Sequence, residues 1–313
     1  AFKGVQISYE DKVQGEYNPD LIIYTPAIPS TSHLMQHFAN SGIKMMKRSE
    51  VLGLISSSEK TIAIAGTHGK TTTTAMVSHI LYYSGIEVTG FVGGIMSNYD
   101  SNYIDSGSEY IVAEADEFDR SFLTLTPAIS AVLSMDADHL DIYGGSEEVT
   151  IGFKDFINKT KKGGTVYLHR SVIKNFTSNE WEVVQEKYKC LTFGDKDSDI
   201  FASNILPQKD GSVTFDLNYK TRLYTGLQLS MPGNHNVSNA TVAMAIALEI
   251  GIPIEKVTVA LAAFKGIKRR FEYVVQNKLN TYIDDYAHHP EELRNAIATA
   301  KDLFQGKEIY GIF

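Results

Sequence analysis

The sequence predicts an α/β protein with a mostly parallel central sheet, and three observations predict it. Apolar runs of strand length alternate with helix-length stretches from Lys60 onward. A glycine-rich turn, Gly66-Thr-His-Gly-Lys-Thr-Thr-Thr73, joins one such strand to one such helix. Acidic residues fall where neighbouring strands end. Alternation of this kind buries helices on both faces of a parallel sheet.

In chain order, Asp20-Leu-Ile-Ile-Tyr24 reads as a short strand. A loop with Pro26 and Pro29 follows, then a helix through His33, Leu34, Phe38 and Ala39 that stops at Gly42. One βα unit is too small for a domain, so residues 1–57 are expected to be a partial N-terminal α/β domain, with Ser56-Ser-Ser58 as a hinge. Thr61-Ile-Ala-Ile-Ala65 reads as a buried strand. The helix after the glycine turn, from about Thr71 to Ser84, carries Met76, Ile80 and Tyr83 on one side, and Gly85 ends it. Tyr110-Ile-Val-Ala113 and Ile129-Ser-Ala-Val-Leu133 are further apolar strands. Short alternating strands across 190–230 predict a small antiparallel portion flanking the main sheet. An Ala-rich helix from about Asn236 to Glu249 ends at Gly251 and Pro253, and a second covers 254–265. These elements make 58–272 the central domain. Tyr282-Ile-Asp-Asp starts a strand, Pro290 suits the first turn of a helix through Leu303, and Tyr310-Gly-Ile-Phe313 resembles a further strand. Residues 273–313 are therefore expected to begin a C-terminal α/β domain.

The chain has 313 residues, 43% of them hydrophobic and 21% charged, within the ordinary globular range. No apolar run reaches the ~20 residues of a membrane helix. The net charge of −8 argues against nucleic acid as a partner, which calls for a basic face. A single cysteine, Cys190, cannot form an internal disulfide; a reducing, cytoplasmic setting follows, and its Tyr-Lys-Cys-Leu-Thr-Phe context reads as a strand.

The chemistry concentrates at strand ends. In Gly66–Thr73 the glycines let backbone approach phosphate oxygens, helix amides point at the anion, Lys70 adds charge, and Thr71 reaches a magnesium ion. A full P-loop would need glycine at 64, where this chain has Ile64, so the motif is a shortened form. Glu114 continues an apolar strand, followed by Asp116, Glu117 and Asp119; Asp136, Asp138, His139 and Asp141 follow the next one. In a parallel sheet these ends share one edge, where ligands bind. Glu114 and His139 are candidate metal ligands, and a histidine suggests that manganese could substitute for magnesium. A solvated acidic loop is the bland alternative. Asn236 and Asn239 share a helix face and suit the edge of an adenine ring; helix capping by Asn234 or Asn236 is the bland alternative. One arginine of Lys268-Arg-Arg270 is a candidate phosphate ligand. Asp284-Asp-Tyr-Ala-His-His-Pro290 suits ribose and substrate contacts better than zinc, for which no third ligand has sensible spacing. His33, His37, His79 and His169 have no comparable setting.

Together these strings resemble the Mur ligases, ATP-dependent enzymes that build the peptide stem of the bacterial cell wall. The resemblance rests on Gly66-Thr-His-Gly-Lys-Thr-Thr-Thr-Thr74, Ala113-Glu-Ala-Asp-Glu-Phe-Asp119 and Asp136-Ala-Asp-His-Leu-Asp-Ile-Tyr-Gly144. It also rests on Gly233-Asn-His-Asn236, Arg269-Arg-Phe271 and Asp284-Asp-Tyr-Ala-His-His-Pro290. They occur in family order and span nearly the whole chain. Phe118 departs from the family's more frequent serine.

The resemblance implies a UDP-sugar-binding domain, a central P-loop ATPase domain and a C-terminal domain that closes over the site. It implies ATP binding by Gly66, Thr67, His68, Gly69, Lys70, Thr71, Thr72, Asn236, Asn239, Arg270 and Asp285. Thr71, Glu114 and His139 would hold magnesium, and Lys70, Glu114 and His139 would be catalytic. His68, Asp116, Arg269 and His288 would lie near the sugar nucleotide. The implied substrates are UDP-N-acetylmuramate and L-alanine, joined through an acyl phosphate by a monomer or homodimer. A recycling ligase that attaches the stem tripeptide is the nearest alternative, a folylpolyglutamate synthase a weaker one, and a non-catalytic nucleotide-binding switch an alternative of another kind. The family's uridine-binding glycine turn would precede residue 1, and the residues that orient the amino acid would follow Phe313.

Overall fold

The computed structural model describes residues 6–13, 18–136, 146–208, 210–277 and 279–312. Its internal contacts divide the chain into two compact units, Ala1–Ile55 and Ser56–Phe313.

In the first unit, β1 (Ile22–Tyr24) pairs in parallel with β2 (Met45–Lys47), with the helix His33–Ala39 between them. The Asp11 carboxylate accepts from the Ser32 hydroxyl and from the His33 and Leu34 amides, so the helix start is doubly capped. These bonds, led by that from Ser32, hold the Asp11 carboxyl below its usual range.

The second unit is built on a ten-stranded sheet. Its strands are β3 (Lys60–Ala65), β4 (Val88–Met96), β5 (Ser101–Asp105), β6 (Tyr110–Ala115), β7 (Ile129–Val132), β8 (Thr165–His169), β9 (Lys189–Gly194), β10 (Ile200–Pro207), β11 (Val213–Tyr219) and β12 (Arg222–Leu229). They lie in the order β12-β11-β10-β9-β8-β7-β3-β6-β4-β5. The run from β10 to β4 is parallel throughout. An antiparallel ribbon, β11-β12, closes one edge and antiparallel β5 the other. The antiparallel portion expected in 190–230 thus begins only after β10, since β9 and β10 belong to the parallel run.

Chain connections leave β3 toward β4 and leave β7 toward β8, in opposite directions along the sheet. Right-handed crossovers therefore put the helices Lys70–Tyr83 and Ser146–Asn158 on opposite faces and open a crevice between the β3 and β7 ends. β3 has no exposed residue after Lys60, as a central strand covered on both faces requires. On one face, Lys70–Tyr83 packs against β4, β6 and the helix Asn234–Ile250, whose residues from Ala240 to Ala247 are all buried. Gly251 ends that helix in the left-handed conformation, φ +98°. On the other face Phe122 stacks on Phe156 and meets Phe153 edge-on, and all three are fully buried.

A small antiparallel sheet, β13 (Glu272–Gln276) with β14 (Thr281–Asp284), precedes the helix Pro290–Leu303. Ser56–Ser58, expected as a hinge, forms the last turn of the helix Arg48–Ser58, and the boundary between the two compact units falls at Ile55/Ser56. Ser56 is buried and its hydroxyl accepts from the Thr126 amide. One local expectation fails: Tyr310–Ile312 carries no strand, and among the described residues no strand pairs with it.

Candidate active site

The register of the parallel strands sets the site. Ala65 on β3 lies opposite Ala115 on β6 and Val132 on β7, so the three strands end level and their following loops emerge side by side.

From β3 comes the glycine loop. Gly66 (φ +140°) and Gly69 (φ +81°) both occupy backbone conformations that favour glycine. A Cβ on Gly69 would sit 2.6 Å from Asn239 Oδ1, and one on Gly66 would sit 2.9 Å from the Ser134 amide. Gly69 caps the helix Lys70–Tyr83 without any side-chain hydrogen bond. The first-turn amides of Lys70, Thr71 and Thr72 have no carbonyl one turn earlier within the helix. A helix start with free amides, positive dipole and no side-chain cap is suited to a phosphate. The loop is tied to the end of β7: the Asp136 amide donates to Thr67 Oγ1 at 2.8 Å, and the His68 amide donates to Ser134 Oγ at 3.0 Å.

From β6 comes Glu114, whose Oε1 accepts from Thr71 Oγ1 and whose Oε2 accepts from the Gly93 amide, each at 2.9 Å. Burial raises the Glu114 carboxyl above its usual range, partly offset by Thr71, by the Lys70 charge and by the Gly93 amide. A buried carboxylate beside a hydroxyl offers the hard oxygen donors that magnesium takes, so these residues fit the expected metal. Among the described residues no cluster of three His, Cys, Asp or Glu side chains is placed to hold a metal. His139, with Asp138 and Asp141, lies outside the described residues.

A cavity of about 500 Å³ joins these groups. Thr67 to Thr72, Glu114 and Asp116 line it, together with Asn236, Asn239, Arg270, Asp285 and His288. The sequence-expected residues converge, with qualifications. Asn236 lies inside the first turn of its helix, whose cap is Gly233 with no side-chain cap bond, and donates its amide to the Pro232 carbonyl at 2.7 Å, so that donor is already engaged. Both Asp285 oxygens accept backbone amides, from Phe271 and Ala287, each at 2.8 Å. Gly66 contributes a carbonyl, which accepts from Lys70 Nζ at 2.7 Å. Arg269 does not line the cavity; at φ +61° it turns to pair with Asp284 at 3.4 Å and lies over Tyr286.

Several residues were not legible as site residues. His169, unremarkable in sequence, lines the cavity at the end of β8 against Phe193, and burial lowers its imidazole pKa. Burial likewise lowers that of His235. Glu292 faces His68 Nδ1 at 3.7 Å and Arg270 at 3.5 Å, and accepts from the His288 amide at 3.3 Å. Burial pushes the Glu292 carboxyl up, but these partners outweigh it and bring it down to about 2. Glu117 forms a buried ion pair with Lys70. The position of Glu117 in an acidic run was the only sequence signal for it.

The sequence profile of the Mur ligase middle domain matches residues 64–247, more than half of the chain. The chain belongs to the Mur ligase family. Residues 269–313 match the Mur ligase glutamate ligase domain. The UDP-N-acetylmuramate–L-alanine ligase of Flavobacterium psychrophilum is 39% identical over 99% of this chain and 67% of its own length. This chain thus spans about two thirds of that relative. Among solved structures, the UDP-N-acetylmuramate–alanine ligase of Thermotoga maritima superposes with a TM-score of 0.81 at 28% identity, over 97% of this chain and 69% of that one. A murein peptide ligase of Psychrobacter arcticus superposes less well, with a TM-score of 0.68 at 26% identity over 92% of this chain and 64% of that one. Mur ligases are ATP-dependent enzymes that form amide bonds, and the α/β fold with its mostly parallel sheet is theirs.

Proposed function

We propose that this chain carries the ATP-dependent core of a ligase that joins L-alanine to UDP-N-acetylmuramate in peptidoglycan precursor synthesis. One observation carries the reading: an uncapped helix start, the Lys70 ammonium and the Thr71–Glu114 oxygen pair meet in one crevice at the point where the strand order reverses. The names of the relatives supply the substrates, and the UDP-N-acetylmuramate–alanine ligase structure fits better than the murein peptide ligase one.

In this mechanism the glycine loop and the first-turn amides hold the ATP phosphates, and Lys70 sets the γ-phosphate for in-line transfer. Thr71 and Glu114 would hold magnesium, with His139 as a further ligand, and the ion would supply charge screening for the transferred phosphoryl group. Asn239 and Arg270 bound the nucleotide side of the cavity, and Asp116 and His288 the side toward the sugar nucleotide. The lactyl carboxylate oxygen attacks the γ-phosphorus, ADP departs, and an acyl phosphate results. The alanine amine attacks its carbonyl carbon, and phosphate leaves with the former carboxylate oxygen. Positioning and electrostatics supply most of the acceleration. The matching division of labour is 1–57 for the sugar nucleotide, 58–272 for ATP and 273 onward for closure. ATP and nucleotide sugars are cytoplasmic metabolites, which suits a chain with one cysteine.

Inorganic phosphate release by the full-length protein, with ATP, Mg²⁺ and UDP-N-acetylmuramate, tests this reading. Release with L-alanine but not without the sugar nucleotide is the expected result. Release only with the stem tripeptide replaces the acceptor, and release with no acceptor at all overturns the reading.

A further inference from the structure

The Lys70–Glu117 pair is not explained by nucleotide binding alone. A lysine ammonium has three protons to donate, and three acceptors surround this one: Glu117 Oε1 at 2.9 Å, Glu117 Oε2 at 2.8 Å and the Gly66 carbonyl at 2.7 Å. The ammonium is therefore folded back onto its own loop with its donors committed. The pair is deep: the Glu117 side chain is 1% exposed and that of Lys70 12%.

A phosphate oxygen gains this ammonium only by displacing one of the three acceptors. Parting Lys70 from Glu117 entirely would break an ion pair buried on both sides, which is strongly unfavourable. The exchange is consequently partial, and the ammonium still bears on Glu117 while it bears on phosphate.

Glu117 itself is held still. It opens the short 3-10 turn Phe118–Thr124, in which the Phe122 amide donates to the Asp116 carbonyl at 3.1 Å and the Phe118 amide to Asp116 Oδ1 at 3.2 Å. Phe122 anchors that turn between Phe153 and Phe156 in the core of the opposite sheet face. A fixed carboxylate thus fixes the point from which Lys70 reaches the cavity.

We propose that Glu117 is the positioning residue for Lys70: it anchors the ammonium and yields one hydrogen bond to the transferred phosphate. The proposal rests on the ligase reading. It separates ground state from transition state. Replacing Glu117 by glutamine removes the negative charge that competes with ATP for Lys70, so ATP binding holds or tightens. It also removes the anchor, so the step that needs a defined ammonium position slows.

The experiment is steady-state kinetics of full-length wild-type ligase and Glu117→Gln with ATP varied. The expected result is a fall in kcat of about tenfold or more with no rise in the KM for ATP. A kcat within twofold of wild type overturns the proposal, as does a loss accompanied by a rise in that KM, which is what a merely loosened loop would give. Should Glu117→Gln not fold, Glu117→Asp keeps the charge but shortens the reach, and the same two criteria apply to it. Where both fold, the aspartate variant recovers part of the lost kcat; no recovery overturns the proposal. Inactivity of the wild type with every acceptor removes the ligase reading instead, and so is distinguishable.

Discussion

Glu114 and Gly93 form one functional unit at the scale of single residues. The Gly93 amide fixes one carboxylate oxygen, and a Cβ on Gly93 would sit 2.5 Å from that same oxygen. Gly93→Ala should therefore displace Glu114 and raise the Mg²⁺ concentration for half-maximal activity by about tenfold, as loss of an outer-shell partner commonly does. A Mg²⁺ titration of phosphate release checks this, and an unchanged midpoint counts against Glu114 as the metal carboxylate. Lys70→Ala and Glu114→Ala should abolish turnover in a protein that still gives a folded circular dichroism spectrum, Lys70→Ala with a lower denaturation midpoint because a buried ion pair is broken. Cys190, with its thiol hydrogen on the Val184 carbonyl and its pKa pushed by burial up to about 11, should resist iodoacetamide at pH 8 until the protein is denatured. The sequence made Lys70, Thr71 and Glu114 legible because each sits directly at a strand end or helix start. It did not reveal Glu292, His169 or the role of Glu117, whose partners lie 224, 24 and 47 positions away: His68, Phe193 and Lys70. Such pairs have no local pattern.

At the scale of elements, two features hold the site together. The first is the 3-10 turn after β6, pinned by Phe122. Phe122→Ala would empty a fully buried aromatic site and cost about 3–5 kcal/mol, read as a lower denaturation midpoint with an unchanged slope. The second is the start of the helix Pro290–Leu303, where Glu292 gathers His68, Arg270 and the His288 amide. Its depressed pKa means that ionised Glu292 stabilises the fold above the ordinary carboxylate range, and this contribution fades as pH falls from about 4.5 through about 2. Glu292→Gln should accordingly speed amide exchange in this helix at pH 7 and remove the acid-dependent part of its protection. Exchange identical to wild type would show that Glu292 does not anchor the helix. The ends of this helix and of Lys70–Tyr83 were legible to within a residue, because Pro290 and Gly85 are strong local signals. Three small polar residues at Ser56–Ser58 gave no sign of the helix Arg48–Ser58 that ends there, because serine favours helix interiors little.

On the scale of the whole molecule, the order of strands makes the site. Reversal of direction between β3 and β7 opens the crevice, and no segment of sequence contains that information. Alternating strands and helices predicted a parallel sheet but not its order, nor antiparallel β5 at the far edge, because pairing partners are set by tertiary packing. The family resemblance supplied what periodicity could not: the expected substrates and the proposed division into nucleotide and sugar sides.

The central claim is that the carboxylate is activated by phosphoryl transfer before the amide forms. The most direct measurement uses UDP-N-acetylmuramate labelled with ¹⁸O in its lactyl carboxylate and follows the released phosphate by ³¹P NMR. The mechanism predicts one ¹⁸O in each phosphate formed together with amide product. Amide formation with unlabelled phosphate would contradict it.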